Sequence, residues 1–361
     1  MTLSLCMIVR DEEAVLARCL ESVKDAFDEI ILADTGSRDR TKEIAAAYTD
    51  KIYDFPWEDD FSAARNFAAD RSSGEYWMWL DADDVLSPEA CAKLKKLKQM
   101  LDPETDIVMM PYGTAFDEQG RPAFTYYRER ILKNIPEYRF QGRVHEAVVL
   151  FGKIRKAEIL VEHRPEGKKR RDRNLRIYEK MKAEGKAFTS RELYYYGREL
   201  LEHGSCEEAE RVLSEFLRRP DGWVEDRIAA TRCRSECFRR MGCEKKAAEA
   251  LLEAFLYESP RAETCCALGD YFMKKEMYRP AAWWFEQALS SEKQEDSGAF
   301  ICQDCYGYLP AINLCVCYDR LGDLQRAAYF NEMAGVWKPE DPSYLKNREY
   351  FLQRQNENCG I

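Results

Sequence analysis

Several absences narrow this chain before any motif is read. No apolar run is long enough for a membrane span, because the opening stretch of residues 1–9 is cut by Arg10-Asp11-Glu12-Glu13, too early also for a secretory signal. Positive charge is in deficit, with 55 Lys and Arg against 65 Asp and Glu and a net charge of -10, so a general nucleic-acid binder is not expected. Histidine is scarce, occurring only at 145, 163 and 203. No G-x-G-x-x-G or Walker A segment is present, which disfavours dinucleotide and P-loop modes of holding phosphate. Cysteine, by contrast, is abundant at 14 residues, and without a secretory signal these read as reduced thiols of a cytoplasmic protein. Cys302-x-x-Cys305 is the only close metal-like pair, and no second pair sits at zinc-finger spacing, which favours free thiols over zinc.

What is present is most informative at residues 76–84. The apolar run Tyr76 to Leu80 reads as a buried strand and ends in Asp81, Asp83 and Asp84. Like charges at a buried strand end repel and lose hydration, a cost that a divalent cation holding a phosphate would remove. The bland alternative is an acidic turn before a helix, with Ser87 as N-cap and Pro88 at the first helical position.

The flanking segments decide between these readings. Strands are expected at Leu3–Val9, Glu29–Ala33 and Lys51–Phe55, alternating with helices at Glu12–Lys24, Arg38–Tyr48 and Phe61–Ser72. This alternation implies an α/β domain with a mostly parallel sheet. Each of several strands ends in polar residues: Arg10 and Asp11, then Asp34 to Ser37, then Asp81 to Asp84. Open α/β sheets bind ligands just beyond such ends.

Four segments, Leu5–Glu13, Asp34–Thr41, Phe61–Asn66 and Leu80–Asp84, resemble family-2 glycosyltransferases of the GT-A (Rossmann-like) fold. The order also resembles the bacterial subgroup with C-terminal tetratricopeptide (TPR) repeats, which includes sublancin-type peptide S-glycosyltransferases. The resemblance implies a UDP-sugar donor and a divalent cation, Mn²⁺ or Mg²⁺. It implies that Asp34 binds uracil or ribose, that Arg65 reaches the base or diphosphate, and that Asp81 holds ribose or the metal's water shell. Asp83 would ligate the metal, with Val9 and Asp11 framing the base. It also implies a late histidine ligand, for which His163 is the candidate; a nitrogen ligand suits Mn²⁺ better than Mg²⁺.

From residue 106 to 161 the pattern is strand-rich, with Ile107–Pro111, Ala123–Tyr127, Arg130–Leu132 and Arg143–Leu150 as expected strands. An inverting transferase needs a base for the acceptor's proton, and Glu146, then His145, are the candidates. The alternative is a packed pair on a strand. Lys168 to Arg176 is a dense basic run, read as a solvated linking helix or as a flank drawing the diphosphate.

Beyond residue 192 strand patterns vanish. Leu268-Gly269, Phe272, Tyr278, Ala281, Phe285 and Ala288 follow the tetratricopeptide pattern, and about four helix-pair units are expected, with an irregular insertion near 291–309. His203 reads as structural. The expected layout is a transferase domain over 1–165, a basic linker over 166–190 and an all-α repeat domain over 191–361. The repeats would serve recognition of a peptide, protein or saccharide acceptor, or homodimerisation. Two rivals stand beside this reading: a repeat scaffold with a degenerate transferase half, and a nucleotidyltransferase, which Arg10-Asp11-Glu12-Glu13 disfavours where a glycine-rich basic loop is needed.

Overall fold

The structure is a computed structural model and describes all residues except 117–121, 167–171, 295–300 and 360–361. The chain divides into two compact units, Met1–Lys186 and Ala187–Ile361.

In the first unit the elements run β1 (Leu3–Val9), α1 (Leu16–Val23), β2 (Glu29–Asp34), α2 (Thr41–Ala45), β3 (Ile52–Asp54), α3 (Phe61–Ala69), β4 (Tyr76–Trp79), β5 (Asp84–Val85) and α4 (Pro88–Met100). They continue with β6 (Ile107–Phe116), β7 (Pro122–Lys133), β8 (Phe140–Gln141), β9 (Ala147–Val148), β10 (Ile154–Lys156), β11 (Val161–His163) and α5 (Arg173–Ala183). One sheet has the order β3-β2-β1-β4-β7-β6-β11-β5, with β10 beside β6. The β3-β2-β1-β4 half is parallel, whereas β7 is antiparallel to both β4 and β6.

Both faces of this sheet are covered, so β1 and β4 are apolar at nearly every position rather than alternating with polar residues. Leu3, Leu5 and Met7, with Tyr76, Met78 and Leu80, join the core beneath α1 and α4. Cys6, Trp77 and Trp79 face the opposite way and pack with Ala68 and Ala69 of α3. Trp79 is thereby buried on the face from which α3 delivers Arg65.

Several expected elements differ in extent. Helix α1 begins at Leu16, preceded by a turn in which the Glu12 carbonyl accepts the amides of Val15 and Leu16. Helix α2 is a single turn, Thr41–Ala45, since residues 38–40 are held in a loop by Asp11, Glu13 and Asp39. The expected strands at 123–127 and 130–132 are one strand, β7. The expected strand Arg143–Leu150 is the main correction: only Ala147–Val148 is extended, paired with Phe140–Gln141. Gly142 at φ 92° and His145 at φ 52° are left-handed, which no extended strand accommodates, so Arg143–Glu146 form a turn. The basic run falls partly outside the described residues. Its remainder enters α5, which packs in the first unit through the Lys180–Asp59 ion pair at 2.7 Å.

The second unit consists of antiparallel helix pairs: α6 (Ser190–Glu202) with α7 (Cys206–Arg218), α8 (Val224–Arg240) with α9 (Glu244–Leu252), α10 (Ala262–Lys274) with α11 (Tyr278–Ser290), α12 (Tyr308–Arg320) with α13 (Leu324–Trp337), then α14 (Pro342–Cys359). Among the described residues these TPR-like repeats form four pairs and a final helix. Helix α6 starts with a capping box, in which Thr189 and Glu192 each accept the other's backbone N–H. His203 closes that helix, its Nδ1 lying 2.8 Å from the Glu199 carbonyl oxygen.

Small residues set how near the paired helices lie. A methyl group on Gly269 of α10 would sit 2.7 Å from ring carbons of Phe285 on α11, and Phe285 is itself buried. Gly197 of α6 meets Leu213 of α7 in the same way at 2.6 Å. Gly269→Val is therefore expected to cost roughly 2 kcal/mol through overpacking. Urea unfolding followed by far-UV circular dichroism measures it; an unchanged midpoint would show that the α10–α11 crossing can relax.

Candidate active site

The site is built from the carboxyl ends of β1, β2 and β4 and from loops that close over them. At the end of β2, Asp34 turns back on its own loop, where Oδ2 accepts the N–H groups of Gly36 at 3.1 Å and Ser37 at 3.0 Å. Gly36 has φ 99°, a conformation that glycine adopts without strain. Asp34 is only 2% exposed, and its Oδ1 is buried with no partner among the described residues. A buried acceptor of this kind costs free energy until a donor reaches it. Beside it, the Val9 carbonyl accepts both the N–H and the hydroxyl of Thr35. Asp11, left-handed at φ 55°, accepts the Arg38 N–H at 2.8 Å and donates its own N–H to Ser37. Val9, Asp11 and Asp34 thus form one stitched corner.

At the end of β4 the acids separate into different environments. Asp81 accepts from Arg65 Nη2 at 2.7 Å, and Arg65 Nε donates to Glu146 at 2.6 Å. One guanidinium joins the strand end to the 143–146 turn, and it lies over the Trp79 ring at 4.8 Å. Arg65 Nη1 is buried and has no partner among the described residues. Burial would raise the Asp81 carboxyl, but Arg65 and Arg130 outweigh it and bring it down to about 2.

Asp83, Asp84 and His163 form a second group, with one ligand atom from each within 4.8 Å of the others. The pairing of β11 with β5 brings His163 opposite Asp84. His163 Nδ1 lies 3.3 Å from Asp83 and 3.5 Å from Asp84, at ion-pair distance but outside hydrogen-bonding geometry. Burial alone would lower the imidazolium, yet the two carboxylates prevail and raise it to about 9. Carboxylate and imidazole donors fit Mn²⁺ or a similar cation. Asp81 stands outside this trio.

A cavity of about 230 Å³ opens beside Asp81 and Arg65. His145 and Glu146 line it, together with Trp79, Arg128, Arg173 and Asn174. The basic segment therefore contributes its helical end to the site rather than lying wholly on a solvated face. The turn, not a strand, presents His145 and Glu146 here.

Sequence reasoning missed several contributors. Glu12, half-buried, is pushed up to about 7 by burial and by Asp83 and Asp81. Arg130 and Asp84 are a fully buried ion pair at 3.0 Å. The available signal was Arg128-Glu129-Arg130 interrupting an otherwise strand-like run, since a charge inside a buried strand needs a partner.

Stability without metal should carry the signature of His163. Its raised pKa stabilises the fold fully below pH 6.5, and that contribution is lost as the pH rises through about 9. Thermal unfolding in chelator between pH 6 and 10 is expected to show this fall in wild type and a flatter profile in His163→Asn; equal slopes would mean that the imidazolium is not held by the two aspartates.

Residues 4–160 match the glycosyl transferase family 2 model. A TPR repeat-containing protein of Synechococcus elongatus is 44% identical over 146 residues, 40% of this chain and 35% of that protein. The glycosyltransferase SunS of Bacillus subtilis is 32% identical over 154 residues, 40% of this chain and 34% of its own length. The matched segment thus spans about a third of each relative. Among solved structures, MamA from Desulfovibrio magneticus aligns with a TM-score of 0.36 at 15% identity, over 51% of this chain and 86% of that one, a score too low to bear on the fold. Residues 4–160, most of the first unit, thus match the glycosyl transferase family 2 model over the same parallel strands and the same acidic end of β4.

Proposed function

We propose that this chain is a cytoplasmic, metal-assisted, inverting glycosyltransferase that moves a sugar from a UDP-sugar to a peptide, protein or saccharide acceptor. The observation that carries this reading is the Asp83–Asp84–His163 group at the carboxyl edge of a sheet in which the end of β2 holds the Asp34 oxygen that has no partner among the described residues. Among the described residues no helix is long and apolar enough to cross a membrane. The span 1–165 would carry the donor site, 166–190 its basic flank and 191–361 the acceptor-facing or dimer-forming repeats.

In this reading Asp34 accepts a hydrogen bond from the uracil or ribose, with Val9 and Asp11 shaping the corner around it. Arg65 holds Asp81 in place and offers its spare N–H to the diphosphate. Asp81 faces ribose or the metal's water shell, while Asp83 and His163 would hold Mn²⁺ or Mg²⁺. That cation would supply charge neutralisation to the departing diphosphate. Glu146 or His145 takes the acceptor's proton; Arg65 donates to Glu146 and holds it at the wall of the cavity that an acceptor side chain would enter. Most of the catalytic effect is then positioning and preorganised charge.

Calorimetric titration of UDP with and without Mn²⁺ tests the reading. Wild type is expected to bind UDP with metal dependence, and Asp83→Ala to lose at least about tenfold in affinity. Absence of UDP binding in both conditions would sink the uridine assignment. Because His163 carries a proton up to about pH 9, its ligation at pH 7 should release about one proton, measurable by repeating the titration in buffers of different ionisation enthalpy. Heats independent of the buffer would remove His163 from the ligand set.

A further inference from the structure

The Asp83–Asp84–His163 group offers a cation three side chains, but one of them differs in kind. Asp84 is fully buried and both of its oxygens are engaged: Oδ1 accepts the Tyr112 hydroxyl at 2.9 Å, and Oδ2 accepts the Asp81 N–H and Arg130 Nη1, each at 3.0 Å. Arg130 is equally buried, wedged against the rings of Trp79 at 3.9 Å and Tyr112 at 4.4 Å. Its Nη1 also donates to the Trp79 carbonyl at 3.1 Å, two residues before Asp81. The remaining nitrogens of Arg130, Nε and Nη2, have no partner among the described residues. Among the described residues Asp84 is therefore the one carboxylate at ion-pair distance from this guanidinium. Moving Asp84 toward a metal would leave a buried cation uncompensated, which is among the costliest changes a protein interior can suffer.

We propose that Arg130 is the internal counter-ion of Asp84 and withholds it from the metal. The group then presents only Asp83 and His163 to a divalent cation. Hard cations take about six ligands, so two side chains bind one weakly, and a diphosphate must supply further oxygens. Metal and nucleotide then bind as one unit. The withholding of Asp84 stands on geometry alone; the coupling to a diphosphate rests on the donor reading given above. In this role Arg130 is a positioning residue, since it touches neither cation nor substrate.

Titration of Mn²⁺ into the full chain, with and without UDP, tests the inference on wild type, Asp84→Asn, Arg130→Met and the double variant. Wild type is expected to bind Mn²⁺ alone weakly, and at least about tenfold more tightly with UDP. Arg130→Met should release Asp84 and tighten binding of Mn²⁺ alone by about tenfold, while the double variant returns to the wild-type value. Asp84→Asn, which keeps its size and an acceptor for Arg130, should shift the affinity for Mn²⁺ alone by less than about twofold. An Arg130→Met variant with native circular dichroism and unchanged Mn²⁺ affinity would overturn the proposal, as would an about tenfold loss in Asp84→Asn. If Arg130→Met does not fold, Asp84→Asn and the double variant decide alone. Tightening in Arg130→Met without any effect of UDP on wild type would uphold the counter-ion role and refute the diphosphate reading.

Discussion

Two buried guanidinium groups, from Arg65 and Arg130, make the acidic edge of the sheet tolerable. Asp81, Asp83 and Asp84 crowd the end of β4, and Glu12 and Glu146 stand near them. In water such a crowd would be held apart; at a strand end it must be compensated locally. Arg65 reaches from α3 to take Asp81 and Glu146, and Arg130 reaches from β7 to take Asp84. Both rest on Trp79, whose ring lies 4.8 Å from one guanidinium and 3.9 Å from the other. The tryptophan that ends β4 thus serves as a floor for cations, and the placement of Asp81, Glu146 and Asp84 follows from which arginine each meets. Asp83, which no arginine claims, stays beside His163.

The same arrangement explains what was legible in the sequence. The β1, β2 and β4 strands could be read because a doubly covered parallel sheet demands unbroken apolar runs, and Leu3–Val9 and Tyr76–Leu80 are such runs. Asp34, Asp81 and Asp83 could be read because each follows a run directly. Glu146 and His145 could be placed near the site but not in their true conformation. Their turn depends on left-handed backbone at Gly142 and His145, and a histidine gives no local warning of that. Arg130 and Asp84 were not legible as a pair, since 46 residues separate them and only the β4–β7 register brings them together. Sequence spacing reports local geometry well, and cross-sheet charge pairing hardly at all.

The helical half was legible for a different reason. Close crossing of paired helices demands small residues at fixed offsets, so Gly269 and Ala281 announced α10 and α11. The aromatic residues around them divide by role in a way composition alone does not reveal. Tyr194 and Tyr196 are core, whereas Trp283 is 52% exposed on α11. Helical spacing alone cannot say which aromatic faces a partner helix and which faces water.

The distribution of thiols has a practical consequence. Of the described cysteines, only Cys243 and Cys302 are exposed, and burial together with Cys305 pushes the Cys302 thiol up to about 11. Most of the others are buried small apolar residues, and Cys6 of β1 and Cys19 of α1 are raised far above the ordinary thiol range by desolvation. A thiolate-selective reagent at neutral pH therefore meets a chain rich in sulfur with few ready nucleophiles. Cys243, at the start of α9, becomes a natural handle for a dye or spin label, and a probe there would report on the repeat unit while leaving the acidic edge of the sheet chemically untouched.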